Sequence, residues 1–264
     1  MSQILIGTSG YSYTDWVGPV YPEGTSQNDF LSMYAALFST VELNFSYYRM
    51  PTAAQLDTFV QKTPSSFQFS IKAHQSLTHE IVASSWRDAA ATFMLALEPL
   101  RREDRLAAVL LQFPFSFHYE VENRKYLNDV LVALAGLPLV VEFRCADWFN
   151  NRVIDAFRER RIAFASMDMP SLKGLPPVMD VVTGSPTYIR FHGRNEKAWW
   201  QSESAERYNY LYTDLELETW TDRVKAIAEK ADRTLVYFNN HPKGQAVRNA
   251  QTFSAMLSRS GLLP

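Results

Sequence analysis

A chain of 264 residues, 47% hydrophobic and 20% charged, is long enough to bury one large core, which excludes a disordered or fibrous protein. Its formal net charge of −2 gives no general attraction to nucleic acid or to an anionic membrane surface, although a local basic pocket remains compatible with it. The single cysteine, Cys145, excludes an internal disulfide and fits a reducing, cytoplasmic compartment.

The start, Met1-Ser-Gln-Ile-Leu-Ile-Gly, lacks the basic segment and apolar run of a signal peptide, and no later run approaches the roughly 18 apolar residues of a membrane span. A β-type run at 3–8 opens the chain, followed by a long aromatic connection from Thr8 to Thr25 and a helical pattern from Ser26 to Phe38. Further β-type runs fall near 38–44, 67–73, 106–113, 138–144, 162–168, 186–192 and 234–239. Helical periodicity marks Thr52 to Lys62, Ser84 to Arg101, Glu122 to Ala135, Phe149 to Arg161, Asp214 to Ala231 and Pro242 to Arg259. Long connections follow the sixth and seventh runs: Met169 to Ser185, rich in proline, and Gly193 to Thr213, with Trp199, Trp200, Tyr208, Tyr210 and Tyr212. About eight strand-then-helix units predict a single (β/α)8 TIM-like barrel over residues 1–264. No G-x-G-x-x-G or P-loop pattern supports a nucleotide-binding open sheet, and no linker or repeat divides the chain.

Side chains alternate between the two faces of a strand. Val41, Leu43 and Phe45 oppose Thr40, Glu42 and Asn44; Phe69 and Ile71 oppose Gln68, Ser70 and Lys72. Val141 and Phe143 oppose Glu142 and Arg144; Ile189 and Phe191 oppose Tyr188, Arg190 and His192. If the apolar faces meet the helices, the barrel carries Glu42, Lys72, Glu142, Arg144, Arg190 and His192 in its upper interior, joined by Gln112, Asp168, Asn239 and Asn240. Most stand near the C-terminal ends of their runs, where such barrels place their sites. Unpaired buried charge costs several kcal/mol, so these groups must pair or face water. Purely structural pairs, Glu42 with Lys72 and Glu142 with Arg190, are the competing explanation of each residue taken alone.

At these same residues the chain resembles the YecE-like proteins, domain-of-unknown-function family 72. The resemblance runs in order through Gly7-Thr-Ser-Gly10, Tyr13, Trp16, Phe38-Ser-Thr-Val-Glu-Leu-Asn44, Tyr48-Arg-Met-Pro51 and Phe69-Ser-Ile-Lys72. It continues through Leu111-Gln-Phe-Pro114, Val141-Glu-Phe-Arg144, Tyr188-Ile-Arg-Phe-His-Gly193 and Tyr237-Phe-Asn-Asn240. It implies a TIM-like barrel and no established reaction. Tyr11 stands where the family pattern has tryptophan, and Cys145 where histidine commonly follows Glu-Phe-Arg.

The charge pattern favours a small anionic ligand bearing phosphate or carboxylate, bound by Arg144 and Arg190 with Gln112, Asn239, Asn240 and Trp16 around it. Glu42 or Glu142 is the candidate general base, Lys72 or His192 the candidate general acid. Pro242 is expected to open the last helix and leave free N–H groups for an anion. A glycosidase would need Glu42 and Glu142 as its carboxylate pair. A metal-dependent phosphoesterase acting on nucleic acid would draw on Glu42, His74, His79, Glu142, Asp168 and His192, but Lys72, Arg144 and Arg190 lie among them and repel a cation. We therefore expect no bound metal or cofactor, no membrane partner, and nucleic acid as a less favoured ligand. An aromatic partner surface of Trp16, Trp199, Trp200 and the Tyr208, Tyr210 and Tyr212 row is the non-catalytic alternative. The sequence leaves the oligomeric state open.

Overall fold

β-Branched and aromatic residues form nine strands among the residues described by this computed structural model, 2–200 and 204–263. They are β1 (Gln3–Thr8), β2 (Thr40–Leu43), β3 (Gln68–Lys72), β4 (Leu106–Phe113), β5 (Leu139–Phe143), β6 (Ala163–Phe164), β7 (Ser166–Asp168), β8 (Thr187–Phe191) and β9 (Arg233–Phe238). All pairings are parallel, in two sheets of order β1-β9-β8-β7 and β2-β3-β4-β5-β6. The expected sixth run is thus broken at Ala165: its first half pairs with β5, its second with β8. At the other margin an isolated bridge joins Ser9 to Glu42, and the Gly10 N–H donates to the Glu42 carbonyl at 2.7 Å. Gly7 permits this approach, because a Cβ there would strike the Thr40 carbonyl. The arrangement is an α/β fold of parallel sheets consistent with a TIM-like barrel.

Helices follow the strands at the expected places, with local reasons for their ends. Thr52, Asn150 and Thr213 cap Ala53–Gln61, Asn151–Arg160 and Asp214–Ala228, the last with a full capping box to Glu216. The single helix expected from Ser84 to Arg101 divides at Leu97 into Trp86–Ala96 and Glu98–Arg102, because Pro99 cannot donate to the preceding turn. Phe45–Tyr48 forms an additional short helix directly after β2 and carries Tyr47 and Tyr48 over the strand ends.

The faces divide as the alternation predicts. Val41, Leu43, Phe69, Ile71, Val141, Phe143, Ile189 and Phe191 belong to the large core between strands and helices. A second apolar cluster, including Leu5, Ala108, Leu110, Val140, Tyr188, Leu235 and Tyr237, fills the interior shared by the two sheets. There the Tyr237 hydroxyl meets Thr40 at 2.6 Å and Ser70 at 3.0 Å across that interior. No described helix is long and apolar enough to cross a membrane.

Candidate functional site

Above the apolar interior layer lies a layer of charge at the C-terminal ends of the strands. Arg190, on β8, is its hub: Nη2 donates to Glu42 Oε1 at 2.7 Å and Nη1 to Glu142 Oε2 at 2.8 Å. Tyr188 donates to the second oxygen of Glu42 at 2.6 Å, and Arg144 Nε to the second oxygen of Glu142 at 2.6 Å. Both carboxylates are fully buried with every oxygen engaged. Of the two purely structural pairs considered from sequence, Glu142 with Arg190 forms, whereas Glu42 pairs with Arg190 instead of Lys72; the planar fork of Arg190 spans two carboxylates where an ammonium could serve only as a point charge. Burial opposes ionisation of Glu142, but Arg190 and Arg144 hold it well below the ordinary carboxylate range.

His192 is completely buried. The Asn239 amide lies 3.1 Å from its Nδ1, and with the amide nitrogen as donor the ring proton sits on Nε2. Nε2 lies 3.3 Å from Glu142 Oε1 without a hydrogen bond. Burial first, then Arg144, pushes its pKa down to about 3, so the ring is neutral near pH 7.

Lys72 ends β3 and has a different position. It is half-buried, and no described carboxylate comes within salt-bridge distance; Arg190 and Arg144 have taken Glu42 and Glu142. Its Nζ stands 4.1 Å over the Tyr47 ring. Burial, followed by Arg190 and Arg144, brings its pKa down to about 7.

Two adjoining cavities, of about 330 and 350 Å³, open over this layer and share Tyr47, Tyr48, Lys72, Arg144 and Tyr208 as walls. His79, Gln112 and Arg207 line one; Arg190, Asn239 and His241 line the other. A larger hollow, about 560 Å³, lies beside Ile4 and Asp232 at the opposite strand ends and contains none of the clustered groups. Burial and then Lys72 and Arg144 lower the His79 pKa to about 4, and burial lowers that of His241, which stacks on Tyr13 at 4.4 Å.

The cleft thus brings together Lys72, Arg144, Arg190, Gln112 and Asn239, with Glu42, Glu142 and His192 beneath it. Trp16 and Asn240 are placed elsewhere. Trp16 is fully buried and donates from Nε1 to the His241 carbonyl at 2.8 Å, so it supports the loop behind the cleft. Asn240 donates to Tyr210 O and Asn249 Oδ1, both at 2.8 Å, and fastens the long loop after β8. The expected helix opening at Pro242 is a short turn, Pro242–Gly244; the following helix starts at Gln245, and the Lys243 N–H already donates to Asp15 at 2.6 Å. Sequence reasoning missed Tyr13, Tyr47, Tyr48, Arg207, Tyr208 and His241 as walls of the cleft. Their one signal was the aromatic content of the connections that follow strands.

The metal ligands considered from sequence do not assemble. Asp168 accepts from Arg194 at 2.8 and 2.6 Å, from Tyr212 at 2.7 Å and from Trp220 at 2.7 Å, leaving it an internal anchor for the loop after β8. His74 turns its Nδ1 to Ser76. Among the described residues, the one grouping with metal-donor spacing is His118, Cys145 and Asp147, where His118 Nδ1 stands 2.9 Å from Asp147 and 3.3 Å from Cys145 Sγ. Burial raises the Cys145 thiol pKa, and the half-buried His118 and exposed Asp147 satisfy each other by hydrogen bonding. The aromatic row is divided: Tyr208 faces the cleft, Tyr212 is buried, and Trp200 is exposed against Phe115.

Comparison with known proteins agrees with the resemblance seen in sequence. The model of the family described as "Protein of unknown function DUF72" matches residues 5–263. UPF0759 protein YunF of Bacillus subtilis strain 168 is 30% identical over 282 residues, spanning 99% of this chain and 98% of that protein. The crystal structure of a DUF72 family protein from Thermotoga maritima, TM1631, superposes with a TM-score of 0.90 at 39% identity, covering 97% of this chain and 99% of that one. A DUF72 family protein from Enterococcus faecalis, EF0366, shares the fold at a TM-score of 0.86 and 24% identity, over 97% of this chain and 96% of its own. From end to end, in sequence and in fold, the chain belongs to the DUF72 family.

Proposed function

We propose that the chain is a single-domain, closed eight-stranded (β/α) barrel that binds a small carboxylate- or phosphate-bearing molecule in the cleft over Lys72 and Arg144, and exchanges a proton with it. β6 and β7 would count as one strand, with the Ser9–Glu42 bridge closing the ring. The observation that carries the ligand class is the uneven division of charge. Arg190 and Arg144 pair with Glu42 and Glu142, and Lys72 is left over, facing the cavities. Arg144 spends only Nε on Glu142, so its Nη edge is available to a planar anion. Gln112, Asn239 and Arg207 supply further donors around the same space.

Lys72 is the proton-exchanging group in this reading. Its pKa of about 7 makes it half protonated near neutral pH, and an arriving anion would draw a proton onto it. Glu42 and Glu142 hold Arg190 and Arg144 in place rather than act as free bases, because none of their oxygens is unspent. The same engagement weakens a glycosidase reading, which needs one carboxyl free to donate and another free to attack. A cytoplasmic setting suits the buried single thiol.

The test is a thermal-shift titration with phosphate, citrate, sugar phosphates and short DNA at matched ionic strength. A ligand at about 100 times its Kd stabilises the native state by about 2.7 kcal/mol, which raises Tm by several degrees in a chain of this size. Saturable stabilisation that disappears in Arg144→Ala is expected with a small anion. No saturable shift, or one that persists in that variant, would exclude this reading.

A further inference from the structure

We infer that Lys72 is a nucleophile, condensing with the carbonyl group of a small keto or aldehyde compound whose carboxylate or phosphate is held by Arg144 and Arg207. The inference rests on the anion reading above and names the substrate class for it.

The geometry singles out this amine. Every other lysine of the chain is exposed to solvent; Lys72 alone is half-buried, at the end of β3 and on the shared wall of the two cavities. Its neighbours are a tyrosine ring face and two guanidinium groups, and among the described residues no carboxylate lies within salt-bridge distance; the more distant Glu142 and Glu42 offset only part of the desolvation. Desolvation beside other cations is the physical condition that turns a lysine into a free amine at neutral pH. A guanidinium has no available lone pair, so of the four Lys and Arg side chains lining the two cavities, Lys72, Arg144, Arg190 and Arg207, only Lys72 can attack carbon. The cavity that contains Lys72, Arg144 and Arg207 has a volume of about 330 Å³, suited to a molecule of a few carbons with its charged group.

The step balances without a further reagent. The Nζ lone pair forms a bond to the carbonyl carbon, and the proton lost from nitrogen passes to the carbonyl oxygen to give a carbinolamine. Loss of that oxygen as water leaves a carbon–nitrogen double bond. Protonated, this imine draws electrons from the neighbouring carbon, which weakens its C–H or C–C bond. Arg144 and Arg207 would bind the acidic end and aim the carbonyl at Nζ.

The experiment is borohydride trapping on the full chain with pyruvate, and separately with dihydroxyacetone phosphate, followed by peptide mapping. At pH 7 an amine with a pKa near 7 has about a thousand times the free-base fraction of an ordinary lysine, offset in part by lower intrinsic nucleophilicity. The expected result is an adduct at Lys72 at least about tenfold more abundant than at exposed Lys62. It should be absent in Lys72→Met and rise in the unaltered protein with a midpoint near pH 7. That pH profile needs no variant, so it stands even if a substitution perturbs folding. Labelling of Lys72 no greater than of Lys62 overturns the inference.

Lactate and glycerol phosphate, which lack the carbonyl, are run alongside by thermal shift. If they stabilise the protein through Arg144 while no Lys72 adduct forms, the nucleophile fails and the anion site stands. If neither effect appears, both fail. If acetaldehyde labels Lys72 as well as pyruvate does, the proposed charged substrate class is overturned.

Discussion

Replacing Lys72 by methionine should make the protein more stable, a direction opposite to that of most buried-residue substitutions. In the unfolded chain the amine titrates near 10.5, and in the fold near 7. Between these values the unfolded chain holds the additional proton, so wild-type stability rises with pH across that window. Below about pH 7 the fold carries the full cost of the unpaired ammonium. The whole shift corresponds to ~5 kcal/mol at 1.36 kcal/mol per pKa unit; water reaching the half-buried amine reduces the expected gain to about 2–3 kcal/mol. Urea unfolding followed by tryptophan fluorescence at pH 7, 8.5 and 10 tests this. Lys72→Met should be more stable at pH 7 and should lack most of the rise towards pH 10. A variant less stable than wild type at pH 7, or one that keeps the same rise, would refute the argument that Lys72 is a strained cation.

Further outcomes follow from the buried titratable groups and from the pairing of Arg190. His192 is neutral in the fold and titrates near 6.5 when unfolded, so its contribution is complete above pH 6.5 and is lost as pH falls towards 3. Stability should drop by about 3 kcal/mol between pH 6.5 and about pH 4, with a much shallower decline in His192→Gln. Glu142 acts in the same sense at lower pH: its stabilisation is present above about 4.5 and is lost below it. Arg190→Met leaves Glu42 and Glu142 buried without their shared partner and should cost about 3–5 kcal/mol by chemical unfolding; adding Glu42→Gln and Glu142→Gln should recover part of it, and an additive further loss would contradict the pairing. Cys145 is buried with a raised thiol pKa, so iodoacetamide at pH 7 should modify it far more slowly in the folded than in the urea-unfolded protein; equal rates would contradict its placement.

Period-two alternation was sufficient to put Glu42, Lys72, Glu142, Arg144, Arg190 and His192 on one interior, because each apolar opposite face is claimed by the helices. Pairs two residues apart on one strand, such as Glu142 with Arg144, are also local enough to read. The contact of Glu42 with Arg190 is not: it joins residues 148 positions apart and depends on β2 and β8 facing each other across the interior. Trp16 was expected beside the ligand because composition says nothing about side-chain direction in a loop; its indole N–H is spent on a carbonyl instead. Asn240 was misplaced for a related reason. At the end of β9 the chain leaves the pleat, so adjacent Asn239 and Asn240 take separate roles, one beside His192 and one on the loop. The division of the helix at Leu97 was legible in Pro99 but was outweighed by uninterrupted apolar periodicity.

The arrangement as a whole is poorly explained as a device for stability. Two fully buried carboxylates require compensation, and Arg190 with Tyr188 and Arg144 provides it. A network serving only to fix the fold could end there, with an apolar or neutral residue at position 72. Instead a third cation is held beside two arginines, above two carboxylates that those arginines already occupy. That cation faces a cavity walled by Tyr47, Tyr48 and Tyr208. Buried ion pairs are often close to neutral in their effect on stability, whereas a desolvated cation without a partner is a net cost. On the function proposed above, the paired charges are the support that keeps Arg144 oriented, and the cost at Lys72 is what an anion arriving from outside would relieve.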